Sequence, residues 1–339
     1  MSGVEEVVAP GTVAARGARW HATTALAAAS EHLVWVLLVL LMGVGLFVRG
    51  FWGVANLTNV LWAAAPTGLM VLGLFFVMLT GGLDLSLEST FAAAPTIAAM
   101  LMLTWAPALV PPPVAIVVTC LLGFAFGLFN GVFSVHLGVN PFLVTLATLI
   151  VLRGVVIYLI PEGVYYLPEA YTFLGRARVG PVPVAIVVLL VIYGFGYLLI
   201  ERHFFGKNVY AIGNNERAAY VAGINVARTK IIAFALAGLF AAVGGLLEVG
   251  RLQSLTADMG EGDILMVFAA AVLGGTSLSG GKGRILGILG AVLVLEVVDN
   301  LMNLRGVEPS IREIVFGLIL LGGIYVASLQ GRFSIRGEA

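Results

Sequence analysis

The 339-residue chain is 60% hydrophobic and 11% charged, with a mean hydropathy of +1.06, against roughly 45–50% apolar and about 25% charged residues in soluble domains. Eighteen basic residues balance eighteen acidic ones, which excludes the basic excess of a nucleic-acid-binding protein, and so few charges exclude a soluble globule, whose surface would carry large apolar patches. Lipid requires every backbone polar group to be bonded internally, so the chain must be a helix bundle or a closed barrel; apolar runs of about twenty residues without alternation predict an all-α polytopic membrane bundle.

In chain order, residues 1–31 form a polar, Ala-rich tail carrying Glu5, Glu6, Arg16 and Arg19. The first apolar run leads through Val48 into Arg49, Gly50 and Phe51 with no small-residue cleavage site, so it is expected to be a retained helix. Ten spans are predicted, near 33–49, 57–80, 85–106, 113–135, 141–160, 182–200, 229–250, 264–278, 284–303 and 311–329. They make residues 32–330 one transmembrane domain, followed by a short tail at 331–339. The eighth span is short and the third begins among polar residues, the features of broken or half-depth segments. Ten spans put both termini on one side. Placing the ends and the loops at 201–230 and 280–284 inside gives eleven basic residues inside against six outside, and all three lysines inside, so the positive-inside rule predicts cytoplasmic termini.

Within the third span's approach, GGLDLS sets two glycines before Asp84 and Ser86. Their side-chain oxygens either cap the helix that follows or present polar groups to a solute at membrane depth. A weak echo, GGTSLSGGKG at 274–283, follows another apolar run, and the topology places both turns on the cytoplasmic side. It fails as a phosphate loop: Thr276 stands where the first Gly belongs, and Gly283 where a magnesium-binding hydroxyl belongs. In the ninth span, Glu296, Asp299, Asn300 and Asn303 fall at i, i+3, i+4 and i+7, one polar face that either lines a pathway or is a solvated rim. Arg153, inside the fifth span, is expected to pair with a carboxylate. Gly123, Gly127 and Gly131, and Gly283 with Gly287, have the four-residue spacing that brings membrane helices close. No His, Cys, Asp or Glu set has metal-ligand spacing, and the single Cys120 excludes an intramolecular disulfide.

The longest inner loop, 201–230, contains NNERAAYVAGI. It predicts a short helix with Asn214 or Asn215 as cap, Glu216 in the first turn, small Ala218 and Ala219, and Gly223 at its C-terminal end. Such a helix is shaped for a groove on a soluble partner.

GGLDLS, NGVFSVHLGVNPFLVTLATLIVLRG, GKNVYAIGNNERAAYVAGINV and GEGDILMVFAAAVLGGTSLSGGKGRILG, in that order, resemble the permease subunits of ribose-type ATP-binding-cassette importers, within a wider group that includes branched-chain amino acid and nucleoside permeases. One departure is Glu88, where such permeases usually carry Gly. The resemblance implies a multi-pass protein of the bacterial inner membrane that imports a small polar solute, a monosaccharide foremost, and is not itself an enzyme. It implies as partners a second copy of the chain, a cytoplasmic ATP-binding subunit that holds ATP and magnesium, and a periplasmic or lipoprotein solute-binding protein. No cofactor is expected in this chain. Asn214 to Gly223 then takes the place of the helix that couples to the ATPase. The mixed charges of Arg176, Arg178, Arg251, Asp258, Glu261 and Asp263 in the outer loops suit a transient, steered contact with the solute-binding protein. An ion-coupled secondary transporter is the competing class, with Asp84, Glu296 or Asp299 as its ion carboxylate.

Overall fold

A computed structural model describes residues 33–335, with side chains placed through Tyr325. The predicted tail at 1–31 and residues 336–339 lie outside the described residues. All ten predicted spans coincide with helices. These are α1 Leu33–Phe47, α2 Val54–Leu79, α3 Leu87–Trp105, α4 Pro112–His136, α5 Pro141–Leu159, α7 Val184–Arg202, α10 Val226–Leu252, α11 Asp263–Leu273, α12 Ile285–Leu304 and α13 Pro309–Ile335. Three short helices, α6 Glu169–Arg176, α8 Phe204–Asn214 and α9 Glu216–Val221, lie in the connections. Seven of the helices are long and apolar enough to cross a membrane, and the chain is a multi-pass helical membrane protein. Two antiparallel pairs of two-residue strands complete the described elements: β1 Val164–Tyr165 with β4 Ser254–Leu255, and β2 Arg178–Val179 with β3 Val182–Pro183.

Helix ends follow local chemistry. Asn140 accepts from the Phe142 amide at 2.9 Å and Pro141 occupies the first position of α5, where a missing N–H costs nothing. Asn225 likewise caps α10 through the Arg228 amide at 2.9 Å. α13 runs to Ile335, five residues into the segment expected to be a tail.

Burial separates the helices into two classes. In the apolar stretches of α2, α3 and α10, 78%, 72% and 67% of residues are buried, against 28% in α4, α5 and α7, so the first three form the centre and the other three lie at the periphery, with α12 between them at 56%. The centre is tight because small residues let backbones meet. A Cβ on Gly123 would strike Ala242 and the Gly238 carbonyl, one on Gly127 would strike the Phe234 carbonyl, and one on Gly238 would strike the Gly123 carbonyl. The predicted glycine face of α4 therefore packs on α10. Gly287 of α12 packs in the same way on Gly274.

Two expectations about broken segments take definite form. α3 begins at Leu87, and the non-helical residues before it turn back into the bundle: Asp84 and Ser86 are fully buried, and Gly82 lies against Phe234, eight residues inside α10. The eighth span, expected to reach 278, is helical only to Leu273, and a Gly-rich turn follows. That turn meets the one after α2. The Gly281 amide donates to the Leu79 carbonyl at 2.9 Å, a Cβ on Gly280 would sit 2.7 Å from the Gly81 nitrogen, and Gly213 at the end of α8 packs between Leu79 and Gly281. Two glycine turns and the last glycine of α8 thus converge at the end of the bundle that carries α9.

Candidate functional site

At the opposite end, beside the β1–β4 pair, α2, α3, α10, α11, α12 and α13 enclose a cavity of about 360 Å³. The polar stripe of α12 forms one wall: Glu296, Asp299, Asn300 and Asn303 all line it, as their helical spacing predicts. Facing them stand Asn59 and Thr67 of α2, Glu248 and Arg251 of α10 and Asp263 of α11, with Phe91 and Phe316 supplying ring faces. Carboxylates accept from hydroxyls, amides both donate and accept, and rings cover apolar C–H surface. This is the chemistry that holds a polyhydroxylated solute.

Several of these groups are already paired. Arg251 grips Glu248 with two nitrogens, at 2.8 and 2.6 Å. Arg312 of α13 reaches Asp299 at 3.0 Å. Asn300, 9% exposed, exchanges both amide hydrogen bonds with Asn56 at 2.9 Å. Asn303 is exposed, and its side chain makes no hydrogen bond among the described residues.

The two other residues read as pathway candidates stand elsewhere. Asp84 accepts from the Ser86 amide at 2.9 Å and from its hydroxyl at 2.6 Å; Ser86 in turn accepts from Asn130, whose carbonyl accepts from Thr148 at 2.6 Å. The expected cap on α3 is not made, since Asp84 serves the Ser86 amide, one residue before the helix begins. This buried chain of bonds ties α3 to α4 and α5, away from the cavity. Of the six residues assigned to docking, Arg176, Arg178, Asp258 and Glu261 are exposed, with Arg176 bonded to Glu169 at 2.8 Å and Arg178 over the Trp62 ring. Arg251 and Asp263 instead turn into the cavity, because they lie on the bundle-facing sides of α10 and α11.

Arg153 makes the expected ion pair, with Glu88 at 3.0 Å. Glu248, Phe91 and Phe316 escaped the sequence reading. An acidic residue three positions before Arg251 inside a span was the available signal for Glu248; nothing marked the two phenylalanines among nineteen.

At the other end, α9 is the predicted short helix. Asn215 caps it through the Ala218 amide at 2.9 Å, and Gly223 ends it at φ +83°, with the Ile224 amide returning to the Ala219 carbonyl at 3.1 Å. Asn214 lies just outside, donating to Tyr210 and Gly281 carbonyls at 2.8 and 3.2 Å. Glu216 and Ala218 are exposed, but Ala219 is 4% exposed and packs inward, so it cannot touch a partner. Tyr220 and Val221 stand 74% and 85% exposed beside Glu216 and Arg217. Glu216 already holds Lys230 at 2.6 Å. Tyr210 fastens α8 to the glycine turn through the Gly283 carbonyl at 2.8 Å, and burial pushes its hydroxyl up to about 12, so it stays a donor. Among the described residues, no group of three His, Cys, Asp or Glu could hold a metal ion.

A family model described as branched-chain amino acid transport system / permease component matches residues 56–323. The ribose import permease protein RbsC of Bacillus subtilis is 36% identical over 288 residues, 84% of this chain and 88% of that protein. The L-arabinose transport system permease protein AraH of Escherichia coli is 36% identical over 298 residues, 85% of this chain and 87% of that one. The galactose/methyl galactoside import permease protein MglC of Salmonella typhimurium is 31% identical over 326 residues, 88% and 94% of the two chains. No solved structure matches.

Proposed function

The chain belongs to the branched-chain amino acid transport system permease component family, and from that premise we propose that it is the membrane-spanning subunit of an ATP-driven importer of a monosaccharide. The observation that carries the sugar reading is the cavity, in which amides, carboxylates and two ring faces line about 360 Å³. Relatives named for ribose, arabinose and galactose import, each covered over most of its length, support it.

The energy source lies in a partner. A cytoplasmic ATP-binding subunit binds ATP and magnesium and docks on α9, where exposed Tyr220 and Val221 offer contact area beside Glu216 and Arg217. Closure of that subunit is passed through α8 and the two glycine turns, which touch α2 and α12 directly, to the helices around the cavity. A solute-binding protein docks at the cavity end on the exposed charges Arg176, Arg178, Asp258 and Glu261. A second copy of the chain completes the translocation unit in the bacterial inner membrane, with both termini cytoplasmic.

The test is uptake into proteoliposomes containing the chain, its ATP-binding subunit and its solute-binding protein. ATP-dependent accumulation of a pentose or hexose, and none of leucine or a nucleoside, is expected. Accumulation driven by an ion gradient without the ATP-binding subunit would overturn the proposal in favour of a secondary transporter.

A further inference from the structure

The elbow between α7 and α8 takes no part in the cavity or in α9. An exposed apolar stripe on α7, Val191, Phe195 and Leu198, runs along the outside of the bundle and continues past the elbow in Phe204, 68% exposed at the start of α8. The elbow is tight, because a Cβ on Gly206 would strike the Ile200 carbonyl. α8 is held against the bundle by its buried face, where Phe205 stacks on Phe76 and Val209 and Ile212 are out of solvent. Arg202 and Lys207 are left exposed on either side of Phe204, with no ion pair or side-chain hydrogen bond among the described residues. Between them the exposed His203 ring lies over Phe204 at 3.9 Å between centroids. Its Nδ1 accepts from the Phe205 amide at 3.2 Å, so the neutral ring carries its proton on Nε2. Glu201, the acidic residue of this stretch, lies towards Tyr210, whose hydroxyl feels it and Arg284 with opposite sign.

In a bilayer an exposed apolar stripe meets acyl chains, and cations just beyond its end sit among headgroups. Arg202, Lys207 and His203 supply N–H donors beside the apolar cover of Phe204, and a phosphodiester carried on acyl chains supplies the matching acceptors and chains. Two unpaired cations favour a headgroup of net negative charge over a zwitterionic one. A second copy of the chain would instead bring the same cations to the same surface across a two-fold axis. We propose that this elbow binds an anionic phospholipid, its phosphate held by Arg202, His203 and Lys207 and its chains lying along Leu198 and Phe204. The lipid fastens α8 to the leaflet at the end of the bundle that carries α9.

Local lipid composition tests this. Cys120→Ala removes the only thiol of the full-length chain, and Leu198→Cys then carries a bimane fluorophore one turn from Arg202. The protein is reconstituted in phosphatidylcholine containing a nitroxide-labelled quencher, either phosphatidylglycerol or phosphatidylcholine, at equal mole fraction. Phosphatidylglycerol is expected to quench as though enriched about tenfold around position 198, and less so as salt rises. The same comparison at Val117→Cys, exposed near the start of α4 in a stretch without Asp, Glu, Lys or Arg from Ser89 to Leu152, should give a ratio near one. Arg202→Gln with Lys207→Gln should bring the ratio at 198 down to that at 117, with the elution profile unchanged to show that the fold persists. A ratio at 198 no greater than at 117, or one untouched by the two substitutions, overturns the proposal. If those substitutions leave the ratio alone but lower co-purification of the ATP-binding subunit, the surface belongs to that subunit and the lipid site falls.

Discussion

The Arg153 guanidinium of α5 bonds Glu88 at the start of α3 at 3.0 Å and, through its other terminal nitrogen, the carbonyls of Ala257 and Met259, each at 3.0 Å. One side chain therefore joins two helices to the connection between β4 and α11, beside the cavity. Both partners are nearly out of solvent, at 12% and 8% exposure, where removal of one member of a pair is far more damaging than the pair is stabilising.

Arg153→Met should accordingly cost about 3–5 kcal/mol, because it strands Glu88 and two carbonyls together. Glu88→Gln keeps an acceptor and should cost less. The double variant should recover part of the Arg153→Met loss, since Glu88→Gln removes the charge that the first change strands. Thermal unfolding in detergent, with protease nicking between Ser254 and Gly262, provides the measurement. Wild-type stability for Arg153→Met would show that the network is idle.

Where α4 crosses α10, Gly127→Val should prevent correct packing, since the added carbon would overlap the Phe234 carbonyl and backbone cannot yield as a side-chain tip can. A loss of at least about 1–3 kcal/mol, the usual overpacking range, or failure to accumulate in the membrane is expected. Gly154→Ala, in α5 with open space around it, is the matched control and should behave as wild type.

Glu216 lends itself to a charge swap, because its partner in this chain is known. Glu216→Lys should lower co-purification of the ATP-binding subunit and the ATP hydrolysis stimulated by the solute-binding protein. If Glu216 serves only to hold Lys230, adding Lys230→Glu should restore both; if it contacts the ATP-binding subunit, the swap should not. Wild-type values for Glu216→Lys alone would reduce α9 to a connector. Asn215→Ala, by removing the cap, should weaken the helix by about 1 kcal/mol.

On α12 the two asparagines should separate. Asn300→Leu removes both bonds to Asn56, whose nitrogen keeps the Phe51 carbonyl at 2.9 Å while its oxygen loses its donor; this should cost about 1–3 kcal/mol and reduce both stability and uptake. Asn303→Leu breaks no hydrogen bond among the described residues, so stability should hold while uptake falls. Unchanged uptake with Asn303→Leu would mean that this end of the stripe is a solvated rim.

The sequence by itself determined the solvent, the places of the ten apolar helices and several local devices. A chain this poor in charge has no other stable medium, and spans, caps and the terminal Gly223 depend on residues within a turn of one another, so composition and spacing suffice. The polar stripe of α12 was legible for the same reason, because a helix carries i, i+3, i+4 and i+7 on one face whatever surrounds it. Only the tertiary structure decided what that face meets. Nothing local couples Asn300 to Asn56, 244 residues away, turns Arg251 and Asp263 inward from loops that looked like docking surface, or sends Ala219 into the bundle beside exposed Ala218. Each depends on how helices rotate about their axes when packed. In the core that rotation is set by the contact of glycine faces such as those of α4 and α10, a property of pairs of helices that no single stretch of sequence contains.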